Sequence, residues 1–269
     1  MNKSLTFLVL LSVLSAACGQ PAKPPEPSPT PTSLPTPTPE APAVLLTYED
    51  NAQVELVTPA GRHIYMDVTD PSMLVKQPTT EDILLTTHLH TDHYYKDFAA
   101  AFPGQQILAS TGKIELPDVT ITGIAAGHNA GDALLDKGGT NYIYLIQTGG
   151  LRLAHFGDIG QDAMTADQLA ALGSVDVAVM QFDNSFSDMN ASNMKGFNLM
   201  DQVKPRLIIP SAHVSKPTIE IAFKRWTGYY AKSRTIPITK AGLPGETGVL
   251  VLGNMAVAYN NLYHLQLWK

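Results

Sequence analysis

From Val44 onward, short runs of hydrophobic residues alternate with polar and turn-forming segments, a pattern typical of an ordered domain. Most of the runs are short and rich in β-branched residues, which favours strands. The predicted strands are Val44–Tyr48, Val54–Thr58, His63–Val68, Asp82–Thr87, Val119–Ala125, Tyr142–Gln147, Leu151–Phe156, Asp176–Phe182 and Arg206–Pro210, with Gly248–Leu252 and Ala256–Tyr259 as a closing hairpin.

Helices are predicted between several of these strands. Thr165 and Gln168 have the spacing of a capping box, and Gly173 suits the end of the same helix. Strands come first in hairpins and later alternate with helices, which favours two sheets faced by outer helices over a doubly wound parallel sheet. The fold class is therefore α/β. The other predicted helices cover Phe98–Phe102, Ala191–Val203 and Thr218–Tyr229.

The first 43 residues do not follow this pattern. Residues 1–17 place Lys3 before an apolar stretch too short to span a bilayer, as in a secretory signal peptide. Ten of the 20 prolines fall between Pro21 and Pro42, so this part cannot form regular helix or sheet and is predicted to be a polyproline II spacer. The predicted organisation is signal peptide 1–17, cysteine and Pro-rich linker 18–43, and folded domain 44–269.

The single cysteine of the chain, Cys18, follows two alanines at the end of the signal segment. This context resembles the bacterial lipobox, in which the cysteine is lipid-modified after cleavage. It implies an exported protein anchored to the membrane, with its domain on the extracytoplasmic side. The alternative is an ordinary cleaved signal peptide with an incidental cysteine.

Charge and composition limit the classes of partner. The formal net charge is −6, so no basic field attracts phosphate backbones, and nucleic acid is not expected as a partner. With Cys18 in the leader, the folded part has no thiolate, and any metal site there must use histidine and carboxylate. A small-molecule substrate is the expected partner.

The richest polar segment follows a predicted buried strand as His88-x-His90-x-Asp92-His93. Histidines at i and i+2 of an extended segment point to the same side, so His88 and His90 can bind one metal ion. Asp92 and His93 follow where the chain turns toward the next helix, which directs them to a neighbouring position.

This motif resembles the signature of the metallo-β-lactamase fold superfamily. Later predicted strands are followed by His128, Asp158 and His213, in the order that the family uses. The chain is most similar to the β-lactamase superfamily domain proteins of the ascorbate-6-phosphate lactonase type. The segments that carry this similarity are 139–144, 150–160, 169–176 and 204–210.

The resemblance implies a four-layer αββα sandwich and a metal-dependent hydrolase. It implies two divalent ions, zinc or else manganese or iron, and a metal-bridging hydroxide that attacks a small ester, lactone or phosphoester. Asp92 would also act in catalysis by orienting the hydroxide and receiving its proton. The implied ligands are His88, His90 and His128 for one ion, Asp92, His93 and His213 for the other, and Asp158 as the bridge.

Other readings stay open. The same fold could serve as a metal-binding sensor or binding lipoprotein without turnover, whereas RNA processing is opposed by the acidic charge. Residues 181–185 and Val214 depart from the lactonase group, so Asp183 and Asn184 are candidate substrate contacts specific to this chain. His155 is expected to be packed or to support the site, and Asp67 to form a turn or brace a ligand histidine.

Overall fold

The fold is seen in a computed structural model, which describes residues 42–129, 140–253, 263 and 265–268. The predicted signal peptide, Cys18, most of the Pro-rich linker and the predicted strand at 256–259 lie outside the described residues. Across the part that is described, no helix is long and apolar enough to cross a bilayer.

Strands form where the hydrophobic runs are short, and helices form where capping residues precede a periodic run. The strands are β1 Val44–Asp50, β2 Gln53–Val57, β3 His63–Met66, β4 Ile83–Thr86, β5 Gln105–Leu108, β6 Lys113–Leu116, β7 Val119–Ala126, β8 Asn141–Thr148, β9 Leu151–His155, β10 Val177–Met180, β11 Leu207–Pro210, β12 Thr227–Ala231, β13 Thr235–Ile238, β14 Gly248–Leu252 and β15 Gln266–Leu267. The α-helices are α1 Lys96–Ala101, α2 Ala166–Leu172, α3 Lys195–Val203 and α4 Lys216–Arg225, and a 3-10 turn covers Pro71–Met73.

The strands form two sheets. The first has the order β13-β1-β2-β3-β4-β5, and the second has the order β15-β12-β14-β11-β10-β9-β8-β7-β6. Strands β1, β2 and β3 are antiparallel neighbours, and so are β6, β7, β8 and β9. Strands β3, β4 and β5 are parallel, as are β9, β10, β11 and β14. The predicted change from hairpins to helix-linked strands is thus confirmed in the second sheet.

Three layers of buried apolar side chains separate the sheets and helices. The largest lies between the two sheets and includes Leu46 and Ile146. A second packs the outer face of the nine-stranded sheet against α2, α3 and α4, through residues such as Phe197 and Ile219. A third packs Tyr65 and its neighbours on the other sheet against α1. This order of layers confirms the predicted αββα sandwich.

Two predicted helices and the closing hairpin need correction. The helix predicted at Thr218–Tyr229 ends at Arg225, because Trp226 is already extended and the Thr and Tyr residues that follow favour strand β12. The helix predicted at Ala191–Val203 begins only at Lys195, because the side chain of Asn190 binds the backbone N–H groups of residues 192 and 193. Strand β14 lies between the parallel strands β11 and β12, not in a hairpin.

Strands β5, β6, β13 and β15 have no counterpart among the predicted strands, and each lies at the edge of a sheet. An edge strand buries few side chains: in β5 only Ile107 is buried. The alternation of apolar and polar residues is therefore weak there, whereas it is strong in the central strands.

Four strands end at the same side of the sandwich. Residues 88–93 follow β4, His128 follows β7, Asp158 follows β9 and His213 follows β11. The backbone N–H of Tyr142, on the second sheet, donates to the carbonyl of Thr87 at 3.0 Å and so joins the two sheets at this edge. The fold thereby brings together residues that are far apart in the sequence.

Candidate metal centre

The seven residues predicted as metal ligands lie together in two adjacent groups. Within each group, one ligand atom from every member lies within 4.8 Å of the others. The first group is His88, His90 and His128, and the second is Asp92, His93, Asp158 and His213.

Asp158 lies between the two groups. Its Oδ2 atom is 3.9 Å from Nε2 of His88, 3.6 Å from Nε2 of His128 and 3.9 Å from Nε2 of His213. Its Oδ1 atom is 3.0 Å from Nε2 of His93. One carboxylate therefore faces histidines of both groups, as a shared ligand would.

Several of these candidate ligand atoms are buried and make no hydrogen bond. They are Nε2 of His88, His93, His128 and His213, and Oδ1 of Asp158. Nε2 of His93 and Oδ1 of Asp158 lie 3.0 Å apart but are not aligned for one. A buried polar atom without a partner costs about 1–3 kcal/mol, so a group of such atoms around one space needs an explanation. Cations would satisfy all of them, and imidazole with carboxylate suits zinc, manganese or iron. The residues therefore fit a pair of divalent cations.

Asp67 holds one of the ligand histidines from the opposite side. Its Oδ2 atom is 2.9 Å from Nδ1 of His93 and 2.8 Å from Nε2 of His155. The backbone N–H of Thr87 donates to Oδ1 of Asp67 at 2.7 Å, and the hydroxyl of Thr87 donates to Oδ2 at 2.8 Å. Bracing a ligand histidine was one of the two roles predicted for Asp67, and His155 supports it as a buried neighbour.

The charges at the site shift the pKa of its members in opposite directions. Burial opposes the charged form of His93, but the carboxylates of Asp67 and Asp158 outweigh it and raise the pKa of His93 to about 10. Burial, together with the positive charge of His93, lowers the pKa of His88 to about 4. Asp67 and Asp158 thus favour positive charge at His93, and a cation bound at its Nε2 would supply that charge in place of the proton.

Two glycines shape the turn that carries Asp158. Gly157 has φ +53°, and a Cβ there would lie 2.6 Å from side-chain atoms of Asn141 and Thr87. A Cβ on Gly160 would lie 1.9 Å from the carbonyl oxygen of His128. Only glycine permits this close approach of the loops. The side-chain carbonyl of Asn141 accepts from the Asp158 N–H at 3.1 Å, which fixes the carboxylate further.

Asn184, a predicted candidate for substrate contact, supports Asp158. It is 2 % exposed, and its amide donates to Oδ2 of Asp158 at 2.7 Å and to Gln181 at 2.9 Å. The carbonyl of the same side chain accepts from the N–H of Phe186 at 2.9 Å. Asp183 lies half-buried beside His213, to whose carbonyl its N–H donates. Only the fold reveals the role of Asn184, 26 residues from Asp158.

Asn51, in the turn between β1 and β2, joins two of the ligand loops. Its side-chain amide donates to the backbone carbonyl of Asp92 at 3.1 Å, and its backbone carbonyl accepts from the N–H of Ala212 at 2.6 Å. Nothing in the local sequence marks this residue, because its partners come from distant segments. The turn sets the spacing between Asp92 and His213, whose side chains are 3.8 Å apart.

The centre opens to solvent on one side. The side chains of Asp92 and His213 are 39 % and 32 % exposed, whereas Asp158 and His93 are buried. A cleft of about 640 Å³ lies over this opening. It is lined by Leu89, His90, Thr91, Asp92, Asp158 and Phe186.

Comparisons with known proteins agree with this geometry. Residues 45–212 match the family described as the beta-lactamase superfamily domain. No curated protein matches the chain at a significant level.

Solved structures share the fold at low identity. A candidate Zn-dependent hydrolase of the metallo-beta-lactamase superfamily from Thermotoga maritima has a TM-score of 0.57 at 18% identity, covering 78% of this chain and 98% of its own. A candidate metal-dependent hydrolase from Parabacteroides distasonis has a TM-score of 0.51 at 16% identity, with 77% and 92% covered. The metallo-beta-lactamase fold protein YhfI from Bacillus subtilis also has a TM-score of 0.51, at 10% identity, covering 77% of this chain and 96% of its own.

Proposed function

Because the chain belongs to the beta-lactamase superfamily domain family, whose fold is that of metal-dependent hydrolases, we propose that it is a dinuclear hydrolase of a small ester, lactone or phosphoester. The observation that carries the proposal is the set of buried ligand atoms without partners, which face one space below the cleft. A protein that only binds its ligand would have no need to keep all seven candidate metal ligands, so the intact set favours the enzyme over a sensor.

The proposed roles divide among the seven residues. His88, His90 and His128 would hold one ion, Asp92, His93 and His213 the other, and Asp158 would contact both. When bound, two divalent cations lower the pKa of water and polarise a carbonyl or phosphoryl oxygen.

The remaining steps depend on side chains of the protein. Asp92 lies at the open side of the centre, where its carboxylate can accept a proton from the attacking water. Asp67 and Asn184 fix His93 and Asp158 behind it, so neither ligand needs to reorganise during the reaction. No serine or cysteine nucleophile is required.

The proposal extends to the location of the enzyme. The leader and the Cys18 context support export and attachment to the membrane through a lipid, with residues 19–43 as the spacer. Radiolabelled palmitate should be incorporated into the chain and not into a Cys18→Ser variant. Equal labelling of the two proteins would contradict the anchor.

The function is tested with the metal-loaded chain and a panel of chromogenic esters, lactones and phosphodiesters. Asp92→Asn should lower kcat by about 10²–10³-fold, because it removes the proton acceptor while keeping the shape of the side chain. Asp97→Asn, an exposed carboxylate on α1, is the matched control and should leave kcat unchanged. Metal-loaded protein that hydrolyses none of the panel would favour the sensor alternative.

A further inference from the structure

Two large apolar side chains flank the opening of the metal centre. Leu89 is 57 % exposed and Phe186 is 73 % exposed, and both line the cleft that contains Asp92 and Asp158. Among the described residues, the other large apolar side chains with high exposure line no part of this cleft. Paired exposed apolar groups beside a polar centre mark a binding surface more often than chance exposure does.

The backbone that carries each of these side chains is fixed relative to the centre. Leu89 lies between the ligand residues His88 and His90, so its position follows from theirs. The N–H of Phe186 donates to Asn184, whose amide donates to Asp158. Any group that rests on these two side chains is therefore held at a set distance from the reacting centre.

Away from the proposed metal ions, the described surface around the opening has no positively charged side chain that could bind an anionic part of a substrate. No lysine or arginine is among the described residues that line the cleft, or among those that line the adjoining pocket at His213. Three carboxylates, those of Asp92, Asp158 and Asp183, line the same surfaces. Besides bound metal ions, proteins that bind phosphate groups usually provide Arg, Lys or a helix N-terminus for them, and the described walls of this cleft provide no Arg or Lys.

We infer that the substrate is an uncharged carboxylic ester or lactone with an apolar group, and that Leu89 and Phe186 bind this group. The inference rests on the proposed hydrolase function and narrows its substrate class. Phosphoesters become the disfavoured part of the panel. The two side chains determine specificity and take no part in bond cleavage.

The kinetic test uses p-nitrophenyl acetate, butyrate and octanoate with bis(p-nitrophenyl) phosphate, on the metal-loaded full chain. We expect kcat/KM to rise by up to about fourfold per added methylene that is buried, and the phosphodiester to be the poorest substrate. Leu89→Ser and Phe186→Ser should each flatten this dependence on chain length. Val75→Ser, which replaces an apolar residue that is 60 % exposed outside the cleft, should keep it.

A binding test separates this inference from the proposed function. Calorimetric titration of the metal-loaded chain with uncharged amides should give a Kd for octanamide at least ~10-fold below that for acetamide, and Phe186→Ser should remove most of the difference. If no ester is hydrolysed but this difference is found, the hydrolase proposal fails and the apolar site stands.

Two results would overturn the apolar site. One is equal affinity for octanamide and acetamide. The other is a kinetic result. It would be a preference for p-nitrophenyl acetate or the phosphodiester, or a chain-length dependence that Leu89→Ser and Phe186→Ser leave unchanged. In the second case the hydrolase function would stand while its proposed specificity would not.

Discussion

Two buried clusters of histidine and carboxylate lie in this domain, and they differ in how their polar atoms are satisfied. The glutamate cluster, made of Glu49, Gln53, Glu55 and His63, lies in the first sheet. The metal cluster, made of the seven predicted ligands, lies where both sheets end. Within the described residues, the glutamate cluster has one buried atom without a partner, Oε1 of Glu49, and the metal cluster has five.

Most polar atoms of the glutamate cluster form hydrogen bonds with other groups of the protein. The carboxylate of Glu55 contacts Nδ1 of His63 and accepts from the N–H of Val75 at 3.0 Å. The side chain of Gln53 donates to Glu49 and accepts from the N–H groups of residues 69 and 70. The same residue types thus form a structural network in one place and a candidate ligand site in the other. The difference lies in the number of buried atoms without a partner, one in the glutamate cluster against five in the metal cluster.

The largest expected effect comes from breaking the metal cluster at its shared member. Asp158→Ala should lower hydrolysis of the best ester by about 10³-fold, because loss of metal chemistry removes several kcal/mol of transition-state stabilisation. Glu49→Ala, the matched change in the glutamate cluster, should leave the rate per folded molecule within about threefold. Steady-state kinetics on metal-loaded proteins measures both. If the two variants lost hydrolytic activity to a similar extent, the proposed functional difference between the clusters would be wrong.

The opposite variant tests the glutamate cluster. Glu55→Ala should lower the free energy of unfolding by about 3 kcal/mol, because it leaves buried donors of His63 and Val75 without an acceptor. Metal content should not change. Urea denaturation gives the free energy, with Glu115→Ala, an exposed carboxylate, as the control expected within about 0.5 kcal/mol of wild type. A loss of metal in Glu55→Ala would show that the clusters are coupled.

Asn184 is expected to support metal binding through its contact with Asp158. Asn184→Ala should weaken metal affinity by about 10–100-fold, because it removes the amide that fixes Asp158. Competition with a chromophoric chelator measures this affinity. Asn198→Ala, an exposed asparagine on α3, should leave it unchanged. If Asn184→Ala keeps wild-type affinity, Asp158 needs no support from that loop.

The smallest effect is a dependence on pH in the glutamate cluster. Burial, followed by the charge of Glu55, raises the pKa of Glu49 to about 7, although Gln53 and Arg234 oppose the rise. Folding therefore favours the protonated acid, and its stabilising contribution is present at low pH and lost as pH rises through 7.

Glu49→Gln should remove this dependence. Relative to the variant, the free energy of unfolding of wild type should fall between pH 5 and pH 8.5, by an amount of the order of 1 kcal/mol. Urea denaturation at both values, under identical metal conditions, measures the difference. A difference that stays constant or grows with pH would mean that Glu49 is ionised throughout.

The sequence sufficed for the features that local patterns encode. The candidate metal pair His88 and His90 is predicted from its spacing after a buried strand, the other candidate ligands from the family resemblance, and the central strands from dense apolar runs. Asn51 and Asn184 act through partners that are distant in the sequence, so no local pattern assigns their roles. For Asp67 the sequence left two roles open, and its contacts with His93 and His155 favour the bracing role. The edge strands were missed for a related reason, since their pairing, and not their own burial, defines them.

Metal stoichiometry tests the central claim most directly. Elemental analysis of the purified chain after loading and removal of excess metal should find two divalent ions per wild-type molecule. His90→Ala should retain at most one, and Asp158→Ala should retain almost none. Wild-type protein with no bound metal, or an Asp158→Ala variant with the same content as wild type, would contradict the assignment of these residues as a dinuclear centre.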